Sequence, residues 1–521
     1  MVPGPVGMDG PRSTLGQLAM SKADTIFELL SASREPALLA PGRPALDHAG
    51  LVRQVEDGMR ALRRLGVGRG DRVAMVLSNG PETAAAFLAV ACAASAAPLN
   101  PAYRAEELDF YLGDLEARAV LTDGDGPVLE VARARGIPVF EIAKGEAAGA
   151  FALAGDDGGG EVGAAPDAGD VALVLHTSGT TSRPKQVPLT HANLCASARA
   201  VAGALALTPS DRALHLMPLF HIHGLVAGLL APLATGGSLF VPPGFQPLRF
   251  FAWLEEAQAT WYTAVPTMHQ AILARADRNR EVIARARVRL VRSSSASLAP
   301  SVMQALEETF AAPVIEAYGM TEAAHQMTSN PLPPGARKAG SVGLPAGPEV
   351  AILGEDGAPL PAGEEGEVCV RGPSIMHGYV GDPAATAAAF VRGWFKTGDL
   401  GALDADGYLR LTGRLKEMIN RGGEKIAPRE VDEVLLSHPS VAQAVTFALP
   451  HDKLGEEVAA AVVLREGTAG ASEGELRDLV RARLADFKVP RRIVFVDAIP
   501  TGPTGKLQRI GLAQRLGLVG R

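Results

Sequence analysis

The most informative segment of the chain, residues 176–190, reads His176-Thr177-Ser178-Gly179-Thr180-Thr181-Ser182-Arg183-Pro184-Lys185-Gln186-Val187-Pro188-Leu189-Thr190. It follows an apolar run at 171–175 that is typical of a buried strand, and it precedes a helix that we expect to begin near Ala192. Its hydroxyls and backbone amides can face a polyphosphate while Arg183 and Lys185 offset the negative charge. For this segment taken alone, a serine- and threonine-rich surface turn is the alternative.

The segment is not a Walker A loop. No glycine stands directly before Lys185, and Gln186 follows it where a Walker A loop has serine or threonine. This difference argues against an ordinary P-loop hydrolase and leaves open another kind of phosphate-binding protein.

On both sides of this segment, short apolar runs alternate with helical patterns. Strand patterns occupy residues 73–77, 119–121, 238–241 and 261–265, and a helical pattern of strong helix formers occupies 83–94. Such alternation predicts parallel sheets flanked by helices. We also expect helix over residues 20–66, and a small β-rich subdomain with strands near 350–353 and 366–370.

The last hundred or so residues follow a different pattern and form a separate unit. Their strand patterns lie at 444–449, 458–464 and 493–496, and their helical patterns lie at 430–436 and 475–484. We therefore predict an α/β protein with a large N-terminal domain over residues 1–412, built of parallel-sheet α/β subdomains plus the small β-rich subdomain. After this domain we predict a hinge at 413–416 and then a small C-terminal α+β domain over 417–521.

Composition excludes several classes of partner and location. The 521 residues are 47% hydrophobic and 21% charged, with a formal net charge of −7, so nucleic acid and an anionic membrane are not expected partners. Cys92, Cys195 and Cys369 are far apart and lack metal-ligand spacing, which is typical of reduced core thiols. Residues 1–7 lack a basic segment followed by an apolar one and no apolar run approaches membrane-spanning length, so we expect a cytoplasmic protein.

Two further motifs point to a nucleotide. The first reads Glu316-Ala317-Tyr318-Gly319-Met320-Thr321-Glu322. In it, Tyr318 can stack on a purine, Thr321 can donate to a phosphate oxygen, and Glu322 can hold Mg²⁺ together with phosphate oxygens. The second motif ends in Asp399, which follows a glycine turn and can accept hydrogen bonds from the ribose hydroxyls. Each motif alone is also compatible with a core aromatic or a turn aspartate.

Taken together and in this order, the motifs resemble those of the adenylate-forming superfamily of acyl-CoA synthetases, firefly luciferases and nonribosomal-peptide adenylation domains. The resemblance covers nearly the whole chain. It is carried by Thr177-Ser178-Gly179-Thr180-Thr181, Tyr318 to Glu322, Thr397-Gly398-Asp399, Gly413-Arg414-Leu415-Lys416, Arg421-Gly422-Gly423-Glu424 and Gly505-Lys506.

The resemblance implies an ATP site on the large domain. The β- and γ-phosphates would be bound by Thr177, Ser178, Gly179, Thr180, Thr181 and Lys185. Adenine would lie between the motif of Glu316, Ala317, Tyr318 and Gly319 and the backbone of Ser295, Ala296 and Ser297. Asp399 and Arg414 would fix the ribose, and Glu322 would hold Mg²⁺. Lys506 would reach the α-phosphate, where a compact ammonium stabilises the charge that grows during attack. Thr321, Glu322 and His221 complete the expected catalytic set.

The resemblance also implies a second half reaction with CoA. The small domain would be mobile and rotate about Lys416, so that Arg421, Gly422 and Gly423 line a pantetheine tunnel. Two glycines permit a close backbone approach. Many family members have glycine at the positions of Ser182 and Gln186. The backbone of Gln186 therefore either adopts ordinary dihedral angles or is strained, and strain predicts slower activity.

The segments that would surround the acid are unusually polar for a fatty-acyl tunnel, and they resemble those of the oxalyl-CoA synthetases of plants and fungi. They are residues 218–225, 261–267, 292–300 and 321–325. A dianion such as oxalate needs donors for its distal carboxylate, and the candidates are Ser293, Ser295, His223 and His325. Other interpretations are that His223 gates the thiol channel and that His325 is a hydrogen-bonded core histidine.

The resulting hypothesis is an ATP-dependent, AMP-forming acid:CoA ligase that acts on oxalate or another small acid. A medium-chain or aryl acyl-CoA synthetase is the alternative within the same mechanism. A stand-alone adenylation module that loads a carrier protein and a protein that only senses nucleotide are alternatives of other classes, and Lys506 argues against the last.

Overall fold

A computed structural model describes residues 24–154, 163–177, 184–354, 356–465, 467–501 and 507–519. The strands are β1 Pro36–Leu39, β2 Leu46–Asp47, β3 Arg72–Val76, β4 Ser95–Pro98, β5 Ala119–Thr122, β6 Val139–Lys144, β7 Phe151–Leu153, β8 Val171–His176, β9 Gln186–Thr190, β10 Arg212–His215, β11 Ser238–Phe240, β12 Trp261–Ala264, β13 Leu290–Ser293, β14 Val314–Met320, β15 His325–Ser329, β16 Leu344–Pro345, β17 Glu349–Leu353, β18 Gly366–Arg371, β19 Phe390–Val391, β20 Trp394–Leu403, β21 Leu409–Arg414, β22 Ile419–Arg421, β23 Glu424–Ile426, β24 Val441–His451, β25 Gly455–Leu464 and β26 Arg492–Phe495.

The α-helices are α1 His48–Arg64, α2 Pro81–Ala93, α3 Ala105–Asp114, α4 Pro127–Ala134, α5 His191–Ala204, α6 Ala231–Leu233, α7 Phe250–Ala257, α8 Pro266–Ala276, α9 Arg280–Arg285, α10 Pro300–Phe310, α11 Pro383–Ala389, α12 Pro428–Leu436, α13 Glu473–Arg481 and α14 Leu512–Arg515. A π-helix runs over His223–Leu230, and short 3₁₀ turns include Phe27–Leu29 and Thr321–Ala323.

Two large sheets form the N-terminal part of the protein. The first has the order β7-β6-β5-β3-β4-β8-β9, and the second has the order β16-β15-β14-β13-β12-β10-β11-β1-β2. The inner strands of both sheets are parallel, and antiparallel strands lie at the edges. Helix α2 is alanine-rich and buried along its whole length, as a helix that is apolar on every face requires, and it belongs to the core that joins the two sheets.

The remaining two sheets are smaller. One has the order β17-β18-β20-β19, with β21 paired to β20, and it forms the β-rich subdomain. The other has the order β23-β22-β25-β24, with β26 paired to β25, and α12 and α13 pack on it to give the C-terminal unit a hydrophobic core of its own. The predicted α/β class, with a large N-terminal domain and a small C-terminal domain, is confirmed.

The boundary between these units lies in a short turn. Strand β21 ends at Arg414 and β22 begins at Ile419, and the backbone amides of Glu417 and Met418 donate to the carbonyl of Arg414. The two units enclose a cleft of about 660 Å³, which is lined by Pro218, Phe220, Thr267 and Met268 on one side and by residues of the small unit on the other.

The expected helix over residues 20–66 is only partly present. Helix α1 begins at His48, and the residues before it form one 3₁₀ turn and the strands β1 and β2. The prediction was wrong for 24–47 because a helical spacing of three apolar residues does not outweigh the backbone pairing that β11 offers to β1. In the described part of the chain, no helix is long and apolar enough to cross a membrane.

Candidate active site

The segment at 176–190 is the connection and second strand of a β-hairpin. Strands β8 and β9 pair antiparallel, with His176 opposite Gln186. Beyond this pair, the amide of Thr177 donates to the carbonyl of Lys185 over 2.9 Å, and the amide of Lys185 donates to Oγ1 of Thr177 over 3.4 Å. The two ends of the loop are thus held together. Ser178, Gly179, Thr180 and Thr181, the other predicted phosphate ligands, lie outside the described residues.

Gln186 has ordinary strand geometry and is not among the residues with positive φ. Its side-chain Nε2 is 2.6 Å from the carbonyl oxygen of Asp114 and 2.8 Å from Oδ2 of the same residue. The carboxylate of Asp114 also lies 3.0 Å from Nε2 of His176. Of the two possibilities for Gln186, ordinary dihedral angles are therefore the one observed, and strain supplies no reason for slow activity.

Tyr379 connects Lys185, a predicted phosphate ligand, to Glu322, the predicted metal ligand. Nζ of Lys185 lies 4.5 Å from the centre of the Tyr379 ring, and the Tyr379 hydroxyl donates to Oε1 of Glu322 over 3.2 Å. Burial raises the pKa of Glu322, and the hydrogen bond from Tyr379 opposes that rise. One buried carboxylate suits Mg²⁺, which is usually bound by one or two carboxylates plus phosphate oxygens. Thr321 begins the 3₁₀ turn that carries Glu322.

The predicted ribose ligands form one hydrogen-bonded cluster. The hydroxyl of Tyr318 donates to Oδ2 of Asp399, and Nε of Arg414 donates to Oδ1 of Asp399 over 2.6 Å. The backbone amide of Asp399 donates to Thr397, which in turn donates to the carbonyl of Val368. The charge of Asp399 raises the pKa of Arg414. Each carboxylate oxygen of Asp399 keeps a second lone pair that can accept from a ribose hydroxyl.

The predicted adenine-binding segments are adjacent. Oε1 of Glu316 accepts a hydrogen bond from the amide of Leu298 over 3.0 Å, which ties this motif to the turn that contains Ala296 and Ser297. The carbonyl of Ala317 accepts from Oγ of Ser294 in the same turn. Burial raises the pKa of Glu316 to about 7.

Gly319 has a steric reason to be glycine. A Cβ there would lie 1.7 Å from the carbonyl oxygen of His325, which is paired with this strand across an irregularity in the β14–β15 ladder. No side chain fits at this position. The absence of one lets the predicted adenine-binding motif pack directly against His325, a predicted ligand of the acid.

The predicted acid ligands His223, Ser295 and His325 form a cluster that we call the acid end. It lies at the carboxyl ends of β12 and β13, the start of the π-helix and the start of β15. Nδ1 of His223 lies 3.0 Å from Oγ of Ser295, and Nε2 of the same ring lies 2.6 Å from Oγ1 of Thr263. The rings of His223 and His325 stack with centroids 4.8 Å apart. Ser295 and His325 have φ values of 73° and 99°, a conformation that non-glycine residues rarely adopt and that often accompanies functional sites.

Two further predicted residues lie beside this cluster. Ser293 ends β13 and is fully buried, and its Oγ has no hydrogen-bond partner among the described residues. His221 precedes the π-helix, and its Nδ1 accepts a hydrogen bond from the amide of His223 over 3.3 Å. A π-helix is rare and is frequent at functional sites. A Cβ at Gly224 would lie 2.2 Å from the carbonyl oxygen of Pro218, so a glycine is needed beside His223.

Arg292, which sequence reasoning did not assign, occupies the centre of the acid end. It is 0% exposed and donates to the side chains of His223, His325, Thr263 and Gln326. The signal that could have revealed it is a charged residue inside the short strand β13, because fully buried arginine is rare and usually paired. Tyr379 was also missed, and a Gly-Tyr pair in a loop gives no comparable signal.

The predicted CoA-binding turn is paired within the small domain. Arg421 donates from Nε to Oε1 of Glu457 over 2.6 Å and from a terminal nitrogen to the other oxygen. Gly422 and Gly423 form the β22–β23 turn with φ values of 60° and 100°, so the turn itself requires their conformational freedom. The predicted pivot, Lys416, is exposed in the turn between the domains.

Lys506 lies outside the described residues. Thr501 and Leu507, which flank its segment, form an isolated β-bridge, and Thr501 lines the interdomain cleft opposite Thr267 and Met268. Thr501 of the small domain and Thr267 and Met268 of the large domain therefore line the same cleft.

Comparisons with known proteins agree with this arrangement. The AMP-binding enzyme family matches residues 34–380, and the AMP-binding enzyme C-terminal domain matches residues 430–506. The oxalate–CoA ligase of Arabidopsis thaliana is 46% identical over 513 residues, which cover 94% of this chain and 98% of that protein. The oxalate–CoA ligase of Saccharomyces cerevisiae is 42% identical over 476 residues, which cover 86% of this chain and 87% of that protein.

The fold is also that of a solved structure. The crystal structure of ATP-bound MatB from Rhodopseudomonas palustris matches with a TM-score of 0.84 and 30% identity, and the match covers 93% of this chain and 97% of that one. The resemblance inferred from the motifs is thereby confirmed. Because the family match spans more than half of the residues and the two relatives are covered almost end to end, the chain belongs to the AMP-binding enzyme family.

Proposed function

We propose that this chain is an ATP-dependent, AMP-forming acid:CoA ligase that activates oxalate. The observation that carries the choice of acid is the cluster of His223, Ser295 and His325 at the acid end of the site, where a long alkyl chain would meet the buried rings of two histidines and the half-buried hydroxyl of a serine. Such groups favour a small acid with a second carboxylate, because each donor left without an acceptor costs free energy. The names of the plant and yeast relatives agree with this choice.

In the first half reaction, an oxygen of one oxalate carboxylate forms a bond to the α-phosphorus of ATP. The bond from that phosphorus to the bridging oxygen breaks, and pyrophosphate leaves. Thr177 and Lys185 are the described residues that would hold the leaving pyrophosphate, together with Ser178, Gly179, Thr180 and Thr181. Asp399 and Arg414 would fix the ribose, and the ammonium of Lys506 would stabilise the charge on the α-phosphate.

Glu322 would hold Mg²⁺, which neutralises phosphate charge when it is bound. The buried carboxylate and its hydrogen bond from Tyr379 fit that role. Tyr379 keeps the carboxylate oriented, and its ring contacts the Lys185 ammonium. The same tyrosine thus couples the residue proposed for the metal to a residue proposed for the phosphates.

In the second half reaction, the thiol of CoA attacks the acyl carbon of oxalyl-AMP, AMP leaves, and the thiol proton is released. Rotation of residues 417–521 about Lys416 would withdraw Lys506 and bring Arg421, Gly422 and Gly423 to the site. This step requires the Arg414–Asp399 ion pair to adjust, since the two residues lie on the last two strands before the turn. Hinge closure of this type alternates two sets of groups over one intermediate.

We also propose the cytoplasm as the location. Cys92, Cys195 and Cys369 are free and buried, and burial raises the pKa of the Cys92 and Cys195 thiols, the latter to about 12. Three unpaired thiols suit a reducing compartment.

The proposal is tested with purified protein, ATP, Mg²⁺ and a panel of oxalate, malonate, acetate, hexanoate and 4-coumarate, with pyrophosphate release as the readout. We expect the highest kcat/KM with oxalate. Preference for hexanoate or 4-coumarate would replace oxalate with a medium-chain or aryl acid. A second assay adds CoA and measures the thioester. If no oxalyl-CoA forms without a carrier protein, the CoA ligase assignment is lost.

A further inference from the structure

Arg292 is a fully buried cation whose hydrogen-bond acceptors are all neutral. Nη1 lies 3.3 Å from Nε2 of His223 and 3.4 Å from Oγ1 of Thr263. Nη2 lies 3.1 Å from Nε2 of His325 and 3.2 Å from Oε1 of Gln326. Among the described residues no carboxylate pairs with this guanidinium, and burial alone lowers its pKa to about 9.

Such an arrangement is unusual for a structural arginine. A buried guanidinium is normally compensated by a carboxylate, because neutral acceptors satisfy its N–H groups but do not offset the cost of removing its charge from water. Nε of Arg292 also has no hydrogen-bond partner among the described residues. By contrast, Arg289, three residues earlier, forms a bidentate ion pair with Asp211. The charge of Arg292 therefore lacks a counterion in the described part of the protein.

The guanidinium also fixes the protons of two imidazoles. Its N–H groups can only donate, so Nε2 of His223 and Nε2 of His325 must accept. A second proton on either ring would place another cation within hydrogen-bond distance of Arg292, which burial strongly disfavours. Both histidines are consequently neutral, with their proton on Nδ1. For His223 this makes Nδ1–H the donor to Oγ of Ser295, 3.0 Å away, which leaves the Ser295 hydroxyl proton to donate elsewhere.

The backbone holds Arg292 under this cluster. Arg292 lies opposite Thr263 in the parallel pairing of β12 and β13, so their side chains share one face of the sheet. The side chain of Gln326 is also held in place. Its Nε2 donates to the carbonyl of Ala346, and its Oε1 accepts the hydrogen bond from Arg292. Neighbours from three segments of the chain, namely the π-helix, β12 and β15, thus keep the guanidinium in one position.

From these contacts we infer that Arg292 is a positioning residue that makes the site selective for dianionic acids. It orients His223 and His325 as Nδ1–H donors, and it supplies the fixed positive charge that the second carboxylate of the substrate neutralises. The inference rests on the proposed function, since it takes a small dicarboxylate as substrate. It adds that the recognised property is the second charge and not the size of the acid.

Oxalate and oxamate separate charge from size. Oxamate has a carboxamide in place of the distal carboxylate, so it keeps nearly the same shape and has one negative charge fewer. Pyrophosphate release is measured with both acids for the wild-type enzyme, Arg292→Gln and Arg292→Lys. The matched control is Arg212→Gln. Arg212 lies at the amino end of β10, which is separated from β13 by β12, and it donates to the neutral oxygens of Ser238 and Ala257.

We expect the wild-type enzyme and Arg212→Gln to prefer oxalate strongly. In Arg292→Gln, the KM for oxalate should rise about 100-fold or more, as expected when one member of a buried charge pair is removed. The KM for oxamate should change by only a few-fold. Arg292→Lys should retain part of the preference for oxalate, because it retains the charge and loses the fork of donors.

Two outcomes would overturn the inference while the proposed function stands. One is an equal increase of the KM for both acids in Arg292→Gln. The other is that Arg292→Gln prefers oxalate to oxamate as strongly as the wild-type enzyme does. ATP affinity, measured by fluorescence without an acid, shows whether Arg292→Gln is folded. If Arg292→Gln is not folded, the KM values of Arg292→Lys for oxalate and oxamate provide the test. No reaction of the wild-type enzyme with oxalate would instead overturn the proposed function, and the inference with it.

Discussion

At the ribose end of the site, Asp399 accepts hydrogen bonds from both Tyr318 and Arg414, whereas at the acid end Arg292 donates only to neutral side chains. The first cluster is balanced in charge before any ligand binds, and it can offer lone pairs to neutral hydroxyls. The second carries a positive charge that no carboxylate of the described residues compensates, and it would suit an anionic ligand. Strand β14 of the second large sheet and strands β20 and β21 of the β-rich subdomain build the first cluster, which would suit a sugar, whereas the second cluster lies on the second large sheet and the π-helix and would suit a charged acid.

On the proposed function, this difference predicts that the acid end is the more specific part of the site. A balanced ion pair retains a favourable partner when the ligand is absent, so it discriminates between ligands mainly through hydrogen-bond geometry. A buried cation without a counterion penalises every ligand that fails to neutralise it. If Arg292 has the role inferred above, selection against acids with a single charge follows from this buried cation.

The largest expected effect lies where the two ends meet, at the α-phosphate. Lys506→Ala should lower the rate of adenylate formation at least ~100-fold, the order of effect seen when one group that stabilises a transition-state charge is removed. Thioester formation from preformed oxalyl-AMP and CoA should remain nearly unchanged. Pyrophosphate release and thioester formation measure the two steps separately.

The control for this change is Lys488→Ala, because Lys488 belongs to the same domain and pairs with Glu430 over 2.7 Å. Equal loss of both half reactions in Lys506→Ala would contradict the alternation of two domain positions.

A smaller effect is expected at the ribose end. Asp399→Asn removes the charge opposite Arg414 and should raise the KM for ATP roughly 30-fold, since a buried charged partner is lost. The KM for oxalate should not change. Steady-state kinetics with each substrate varied at saturating concentrations of the other give both values.

Asp404→Asn serves as the control, because Asp404 pairs with Lys338 in the neighbouring surface cluster. A parallel rise of the KM for oxalate in Asp399→Asn would mean that the two ends are not independent, and the contrast between them would be lost.

The smallest effect is expected between the ends, at Tyr379. Tyr379→Phe removes one hydrogen bond to Glu322 and should lower kcat by ~2- to 10-fold. The hydrogen bond lowers the pKa of Glu322, so its loss raises that pKa further above the usual value. Activity needs the ionised carboxylate and is lost as pH falls through its pKa, so the acidic limb of the pH–rate profile should move to higher pH.

Tyr408→Phe is a close control, since the Tyr408 ring also contacts a lysine ammonium, at 4.2 Å, and its hydroxyl donates to a backbone carbonyl. An unchanged acidic limb in Tyr379→Phe would remove Glu322, or its bond to Tyr379, from the mechanism.

Much of the fold was accessible from sequence because its signals are local. The apolar runs near 73, 119, 171 and 261 became β3, β5, β8 and β12, and Thr190 caps α5 through a reciprocal hydrogen bond with Asn193. The expected helix before residue 48 failed because β1 gains its pairing from β11, about two hundred residues later. Secondary structure that depends on such a distant partner has no local signature.

The candidate site divides in the same way. Short motifs whose residue types indicate nucleotide binding contain Tyr318, Glu322 and Asp399. Their roles could therefore be predicted from the sequence. Two contacts of the site join residues that are far apart in the chain. One is the hydrogen bond from Tyr318 to Asp399, and the other is the contact of Tyr379 with both Lys185 and Glu322. No spacing rule predicts such pairs, because they arise from how the β-rich subdomain packs on the large sheets.

The amino-acid sequence alone was sufficient for the family, the order of the domains and the class of reaction, because these depend on motifs that can be recognised one at a time. It also identified His223, Ser295 and His325 as candidate acid ligands. The tertiary structure was needed to find that Arg292 lies beneath them and that no carboxylate of the described residues pairs with it. The reason is physical: the burial and the charge balance of a side chain depend on all of its neighbours, and the hydrogen-bond partners of Arg292 come from three separate segments.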